Sequence, residues 1–307
     1  MPLDPEMRRI LDLIGFDHAQ QLESRSVAGA VAMLRAALPP APAGLAVRCE
    51  DRVLPLAGRD VPVRICWPVG MGPFPILMNF HGGGWVTGSV GADDLRCQRL
   101  TVAAHCITIS VDYRLAPEHP YPAGLEDCRD ACLWAHDNAA ELNGDPARIA
   151  VSGASAGGNL AAAVALLGRD RGMPFPMFQL LFYPVTDATA QDGDPPGGPY
   201  FLSRQGMDWY WARYLGDYRD LRDPLVSPLL APSHAGLAPA LVITAELDPL
   251  AAEARAYAEA IVAAGGAAEH VEMPGMVHGF VSYGPDAART LEAMDLAGAA
   301  LRRAFVP

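Results

Sequence analysis

Three short segments, far apart in the chain, carry residues whose types and spacing suit nucleophilic attack on a carbonyl. The first is Gly153-Ala154-Ser155-Ala156-Gly157. A β-type run, Arg148 to Val151, leads into it, and an Ala/Leu-rich run, Asn159 to Leu167, leads out. Strand, tight turn and helix with serine at the apex lifts the serine oxygen above a sheet edge, at the positive end of the helix. Gly153 and Gly157 must be small, because a Cβ at either would meet the facing strand or helix. The second segment, His81-Gly82-Gly83-Gly84-Trp85, follows the apolar run Ile76 to Phe80. Successive glycines after a strand let several backbone N–H groups converge on one point, which a developing oxyanion needs. The N–H groups of Gly83, Gly84 and Ala156 are the expected donors; Gly82 serves the turn and His81 shapes the loop.

The third segment supplies base and acid. Asp248 stands just past the apolar run Ala240 to Thr244, and His278 just past the run His270 to Met273. Serine is a poor nucleophile until a base takes its proton, and the base needs a carboxylate to fix its tautomer. Each residue also has a plainer reading. Asp248 before Pro249 could be a helix N-cap, and Glu246 is a rival acid. His278 is one of eight histidines. It alone joins a loop after a late strand to a following small residue, whereas His270 lies within a strand run and reads as structural.

With these segments in view, the chain resembles the hormone-sensitive-lipase-like branch of the α/β-hydrolase esterases. The resemblance rests on His81–Trp85, on Asp112-Tyr-Arg-Leu-Ala-Pro-Glu-His-Pro-Tyr-Pro-Ala123, on Gly153–Gly158, on Asp248-Pro-Leu250 and on Gly275-Met-Val-His-Gly-Phe280. They run in the family's order over about residues 60–300. The resemblance implies Ser155 as nucleophile, His278 as base and Asp248 as acid, the chain order of that family's triad. It implies an oxyanion hole from Gly83, Gly84 and Ala156, short to medium acyl esters as substrates, and no metal or organic cofactor. Ala154 departs from the Asp or Thr that many relatives carry before the serine. An amidase or a hydrolase of a special ester would share every one of these residues. A receptor of similar fold, like the plant gibberellin receptors, would keep the cleft and lose the base.

Composition describes a soluble globular protein with ample core. Of 307 residues 51% are hydrophobic and the net charge is −12, which disfavours nucleic acid and anionic membranes as partners. All 23 basic residues are arginine, so Schiff-base and phosphate-loop lysine chemistry is excluded. The six cysteines form no C-x-x-C pair. Cys128 and Cys132 share a helix face but find no second pair for zinc, so free buried thiols are expected. Without an apolar signal core or a membrane-length run, the expected setting is cytoplasmic and reduced. A homodimer through an edge strand is a further expectation from similar proteins.

Around these segments, strand and helix patterns alternate, predicting an α/β fold with a mostly parallel sheet flanked by helices and a helical cap. Strands are expected at Val61–Cys66, Ile76–Phe80, Ile107–Val111, Ile149–Ser152, Phe178–Phe182 and Ala240–Thr244. Residues 1–45 form a helical arm, with one apolar stripe at Met7, Ile10, Leu11 and Ile14 and another at Val27, Val31 and Leu34. Residues 46–185 and 231–307 make the hydrolase core, and 186–230 are a cap insertion. Tyr113, Arg114, Glu118 and His119 read as a proline-stiffened structural loop, with Arg114 tied to carboxylates such as Glu118. In the cap, Tyr200, Phe201, Met207, Trp209, Trp211 and Tyr214 supply aromatic and apolar bulk. Trp85, Tyr200, Phe201, Met207 and Trp211 are the candidate pocket residues.

Overall fold

The computed structural model describes residues 2–14, 29, 45, 47–195, 198 and 200–306. The second arm stripe and the proline-rich boundary at residues 39–42 lie outside them.

An eight-stranded sheet forms the centre, in the order β1-β2-β4-β3-β5-β6-β7-β8. Its strands are β1 (Arg48–Leu56), β2 (Arg59–Trp67), β3 (Phe74–Phe80), β4 (Ile107–Val111), β5 (Gly144–Ala154), β6 (Gln179–Phe182), β7 (Ala240–Leu247) and β8 (Ala268–Val277). Only β2 runs against its neighbours; β3 to β8 are all parallel. Every residue of β3, β4 and β6 is buried, as expected of strands covered by helices on both faces. β1 instead alternates exposed with covered positions at the sheet's margin. Its polar half hid it from the hydrophobic pattern, and it is an element the sequence reading lacked.

The covering helices are α2 (Asp94–Ala104), α3 (Ala123–Asp137), α4 (Ala156–Arg171), α6 (Ala251–Ala263) and α8 (Ala288–Phe305). In α4, Ala156 through Gly168 are buried without a break. Small side chains there let the helix axis approach the sheet closely. Helix α1 (Pro5–Ile14) buries Met7 completely, and the Asp4 N–H donates to the Gly275 carbonyl at 3.0 Å. The described part of the arm thus braces the turn ahead of His278. Helix α5 (Arg204–Leu215) lies in the long excursion between β6 and β7, and the single-turn α7 (Phe280–Tyr283) follows His278.

Two expectations need correction. Cys49 and Cys66 are opposed residues on β1 and β2 and are joined by a disulfide. Facing positions on antiparallel strands bring the two Cβ atoms within bridging range, a relation invisible in linear spacing, so the expectation of a reduced chain fails for this pair. Cys97, Cys106, Cys128 and Cys132 are free and buried. Arg114, for its part, is held by α3 rather than by Glu118. Its Nε donates to Asp127 Oδ2 at 2.9 Å and Glu126 lies 3.5 Å away. One turn of α3 presents both carboxylates to the loop. Among the described residues no helix is long and apolar enough to cross a membrane.

Candidate active site

The chemistry-bearing loops all leave the carboxyl ends of parallel strands, where open α/β sheets place their crevice. Ser155 follows β5, His81–Trp85 follow β3, Asp248 follows β7 and His278 follows β8. Ser155 sits at φ 56°, ψ −119°. A non-glycine residue rarely adopts this conformation, and it is held here because the Ser155 N–H donates to the Phe182 carbonyl at 2.9 Å. The turn closes so tightly that a Cβ on Gly157 would lie 2.0 Å from the Phe80 carbonyl oxygen, and one on Gly153 2.1 Å from the Gly157 oxygen. Both glycines are therefore required by close backbone approach, as the sequence reading expects.

His278 lies between the serine and the aspartate. Its Nε2 is 2.8 Å from Ser155 Oγ and its Nδ1 donates to Asp248 Oδ2 at 2.7 Å. All three are buried, with Ser155 9% exposed. Asp248 takes the acid's place, and the plainer reading as a helix N-cap does not hold, since Leu250 caps α6. While Oδ2 holds the imidazole, Oδ1 accepts the Leu250 N–H at 2.9 Å in a turn just ahead of the helix. The rival Glu246 is engaged elsewhere, accepting the Gly275 N–H at 2.8 Å. It holds the turn that leads to His278.

In the glycine loop, Gly83 (φ 116°) and Gly84 (φ 59°) both need the left-handed region, which costs glycine little. Gly82 does not. Its limit is the Ala154 carbonyl, 3.1 Å from a hypothetical Cβ. The Gly83 carbonyl accepts the N–H groups of Val86 and Thr87, folding the loop back on itself. Among the described residues no backbone acceptor takes the N–H of Gly83, Gly84 or Ala156. His81 is fully buried, its pKa pushed down by that burial, and Nδ1 donates to the Gly82 carbonyl at 2.8 Å. Its ring stacks on Tyr113 at 4.2 Å, and burial favours its neutral form.

The candidate pocket residues divide. Trp85, itself at φ 60°, stacks on Tyr214 at 4.3 Å and leans on Trp211 at 4.4 Å. Met207 is buried and Phe201 lies 4.4 Å from Tyr283, while Tyr200 is half-buried. Two tyrosines outside that set also stand beside the chemistry. The Tyr210 ring lies directly over Gly84, where a Cβ would come within 2.2 Å of it. The Tyr183 ring centroid is 4.8 Å from that of His278, on a backbone at φ 36°. Helical phase could have singled out Tyr210, one turn beyond Met207. Nothing in the sequence marks Tyr183, because its position depends on where β6 ends relative to β8.

The family described as alpha/beta hydrolase fold matches residues 77–282 of the chain. The chain belongs to this family. Within it, the chain falls in the hormone-sensitive-lipase-like branch, as the motifs implied. It is 41% identical to the carboxylesterase NlhH of Mycobacterium tuberculosis, over 99% of this chain and 96% of that one. It is 36% identical to an arylesterase of Saccharolobus solfataricus, over 92% and 93% of the two chains. Among solved structures, a thermostable esterase from Pseudomonas putida superposes with a TM-score of 0.88 at 31% identity, covering 100% of this chain and 98% of that one. An ester-hydrolase from the metagenome of Lake Arreo, bound to a bipyridine phosphonate derivative, superposes at 0.85 with 37% identity, covering 99% of each.

Proposed function

We propose that this chain is a serine carboxylesterase that cleaves short- to medium-chain acyl esters through an acyl-enzyme. The observation that carries the reading is the unbroken row from Ser155 Oγ to His278 Nε2, and from Nδ1 to Asp248, at 2.8 and 2.7 Å. Ser155 attacks the ester carbonyl while His278 takes its proton. The negative oxygen that forms is received by the N–H groups of Gly83, Gly84 and Ala156. His278⁺ then protonates the departing alcohol, with Asp248 steadying the imidazolium. Water enters, gives its proton to His278 and releases the acid by the same route. The esterases among the relatives support ester rather than amide substrates.

In this reading the excursion between β6 and β7, with the N-terminal arm, is a cap. Its helix α5 rests on the glycine loop through Tyr210 and through the Trp85, Trp211 and Tyr214 rings, so Met207, Trp211 and Phe201 border the substrate. A cytoplasmic location agrees with the four free thiols, while the Cys49–Cys66 bond asks for local protection from reductant. The expected homodimer would pair through an edge strand, of which the sheet has two, β1 and β8, and sedimentation velocity reads its presence directly.

The test is a chain-length series of nitrophenyl esters and matched anilides, with fluorophosphonate labelling alongside. We expect turnover to be highest on acyl chains of about two to eight carbons, far slower anilide cleavage, and labelling that Ser155→Ala abolishes. Labelling that survives the substitution would remove Ser155 from the mechanism.

A further inference from the structure

One buried acid has no part in the proposed chemistry. Glu253, in the first turn of α6, is 4% exposed. Its Oε1 accepts the N–H of Thr186 at 2.7 Å and of Asp187 at 3.2 Å, where the chain leaves the sheet for the cap. That exit leg is tied to the return leg: Leu229 N–H donates to the Thr186 carbonyl at 3.0 Å, and Ala188 N–H to Ser227 Oγ at 2.8 Å. Both legs of the cap therefore cross at Glu253. Its other oxygen, Oε2, has no hydrogen-bond partner among the described residues, and neither do Nε and Nη1 of Arg204. Arg204 is the first residue of α5, and its Nη1 stands 3.9 Å from that oxygen. An acid and a cation thus face each other, nearly dry, just beyond bonding distance, at the root of the cap helix.

We propose that Glu253 is a positioning residue for the cap: as a neutral acid it fastens the cap's two legs and seats α5 on the glycine loop, and as a carboxylate it favours release of both toward water. The inference rests on the esterase reading above, in which α5 borders the substrate. The physical cause is the cost of a buried charge without full pairing, which exceeds that of a neutral carboxyl with one idle oxygen. The charged groups facing Glu253 are Arg204 from α5, which favours ionisation, and Asp187 from the exit leg, which opposes it. Asp208 and Asp194 face Arg204 instead, Asp208 at 3.9 Å from its Nε and Asp194 accepting its backbone N–H at 2.8 Å. Burial outweighs the rest and pushes the Glu253 carboxyl up to about 8 from an ordinary 4.5. The seated cap therefore binds a proton that the released cap gives up. Seating is strongest below pH 4.5, weakens by up to about tenfold per pH unit as pH rises toward 8, and is level above that.

The experiment measures kcat and KM separately from pH 5 to 9 on one nitrophenyl ester, for the wild type, Glu253→Gln and Arg204→Met. The wild-type KM should climb by about threefold or more and level off near pH 8, while kcat follows the base. Glu253→Gln keeps a neutral side chain of the same shape, so its KM should stay flat across the range. Arg204→Met removes the cation that favours ionisation, so its KM should level off at a higher pH. A flat wild-type KM, a Glu253→Gln profile that tracks the wild type, or an unmoved Arg204→Met plateau would each overturn the proposal. If Glu253→Gln does not fold, the Arg204→Met plateau decides. If the wild type cleaves no ester, the esterase reading falls separately. Amide exchange of α5, corrected for intrinsic rates at each pH, then judges the clasp: protection that fails to drop between pH 5 and 8 rejects it.

Discussion

At the carboxyl edge of the sheet, the polar side-chain atoms of Ser155, His278 and Asp248 all have partners. One layer outward, Trp85 Nε1, Trp211 Nε1, Tyr214 OH, Arg204 Nη1 and Glu253 Oε2 are buried and have none among the described residues. The reacting row is fixed by backbone turns that tolerate no Cβ and by short hydrogen bonds. The excursion proposed as a cap is held by stacked rings, which tolerate sliding, and by polar groups left a little apart. Reaction geometry must survive every turnover at a fraction of an ångström, whereas a substrate-facing layer must admit and release ligand. Unpaired buried donors are costly, and those of the outer layer stand where movement could relieve them.

The contrast can be broken from the inside outward. Ser155→Ala should leave fold and melting temperature nearly unchanged and lower turnover by about 10⁶, the scale seen when a serine nucleophile is lost. Steady-state assay checks this, and residual activity within tenfold of wild type would reject the row as the seat of reaction. Gly84→Ala tests the border between layers. It strains a left-handed residue and drives a methyl into the Tyr210 ring, so kcat should fall by about 10²–10³, as for a lost oxyanion donor. Adding Tyr210→Ala should recover part of that loss if the ring is what crowds the loop, and none if backbone strain alone is responsible. Trp211→Ala removes an outer ring that leans on Trp85. Its effect should be confined to KM and chain-length preference, about three- to tenfold, with kcat within about twofold. A kcat loss as large as that of Gly84→Ala would mean the two layers are not separable. The smallest effect lies farthest away: thiol titration of the denatured, unreduced protein should count four thiols rather than six, and breaking the β1–β2 disulfide should leave kcat alone.

Much of the inner layer was legible because chemistry and backbone geometry leave local traces. Glycines at 153 and 157 announce a cramped turn, and three glycines after an apolar run announce converging amides. The parallel strands β3, β4 and β6 were visible as short runs dominated by apolar and β-branched residues, because they are buried on both faces. β1 was not visible, since a marginal strand needs no continuous apolar face. The partner of Arg114, the Cys49–Cys66 bond, and the contacts of Tyr183 and Glu253 were hidden for a shared reason. Each joins residues from different elements, and nothing in one element's pattern names its neighbour.

Residue types and their order along the chain determined a serine, a base and an acid on loops after strands, glycine-rich donors, and an alternating α/β core. These follow from local sterics, periodicity and the reactivity of single side chains. Only the packed structure decided the 2.8 and 2.7 Å spacings of that row, that Cys49 bonds to Cys66, and that Tyr210 roofs Gly84. Those outcomes depend on sheet order and on the distance between strand ends, which are set by how the whole core closes.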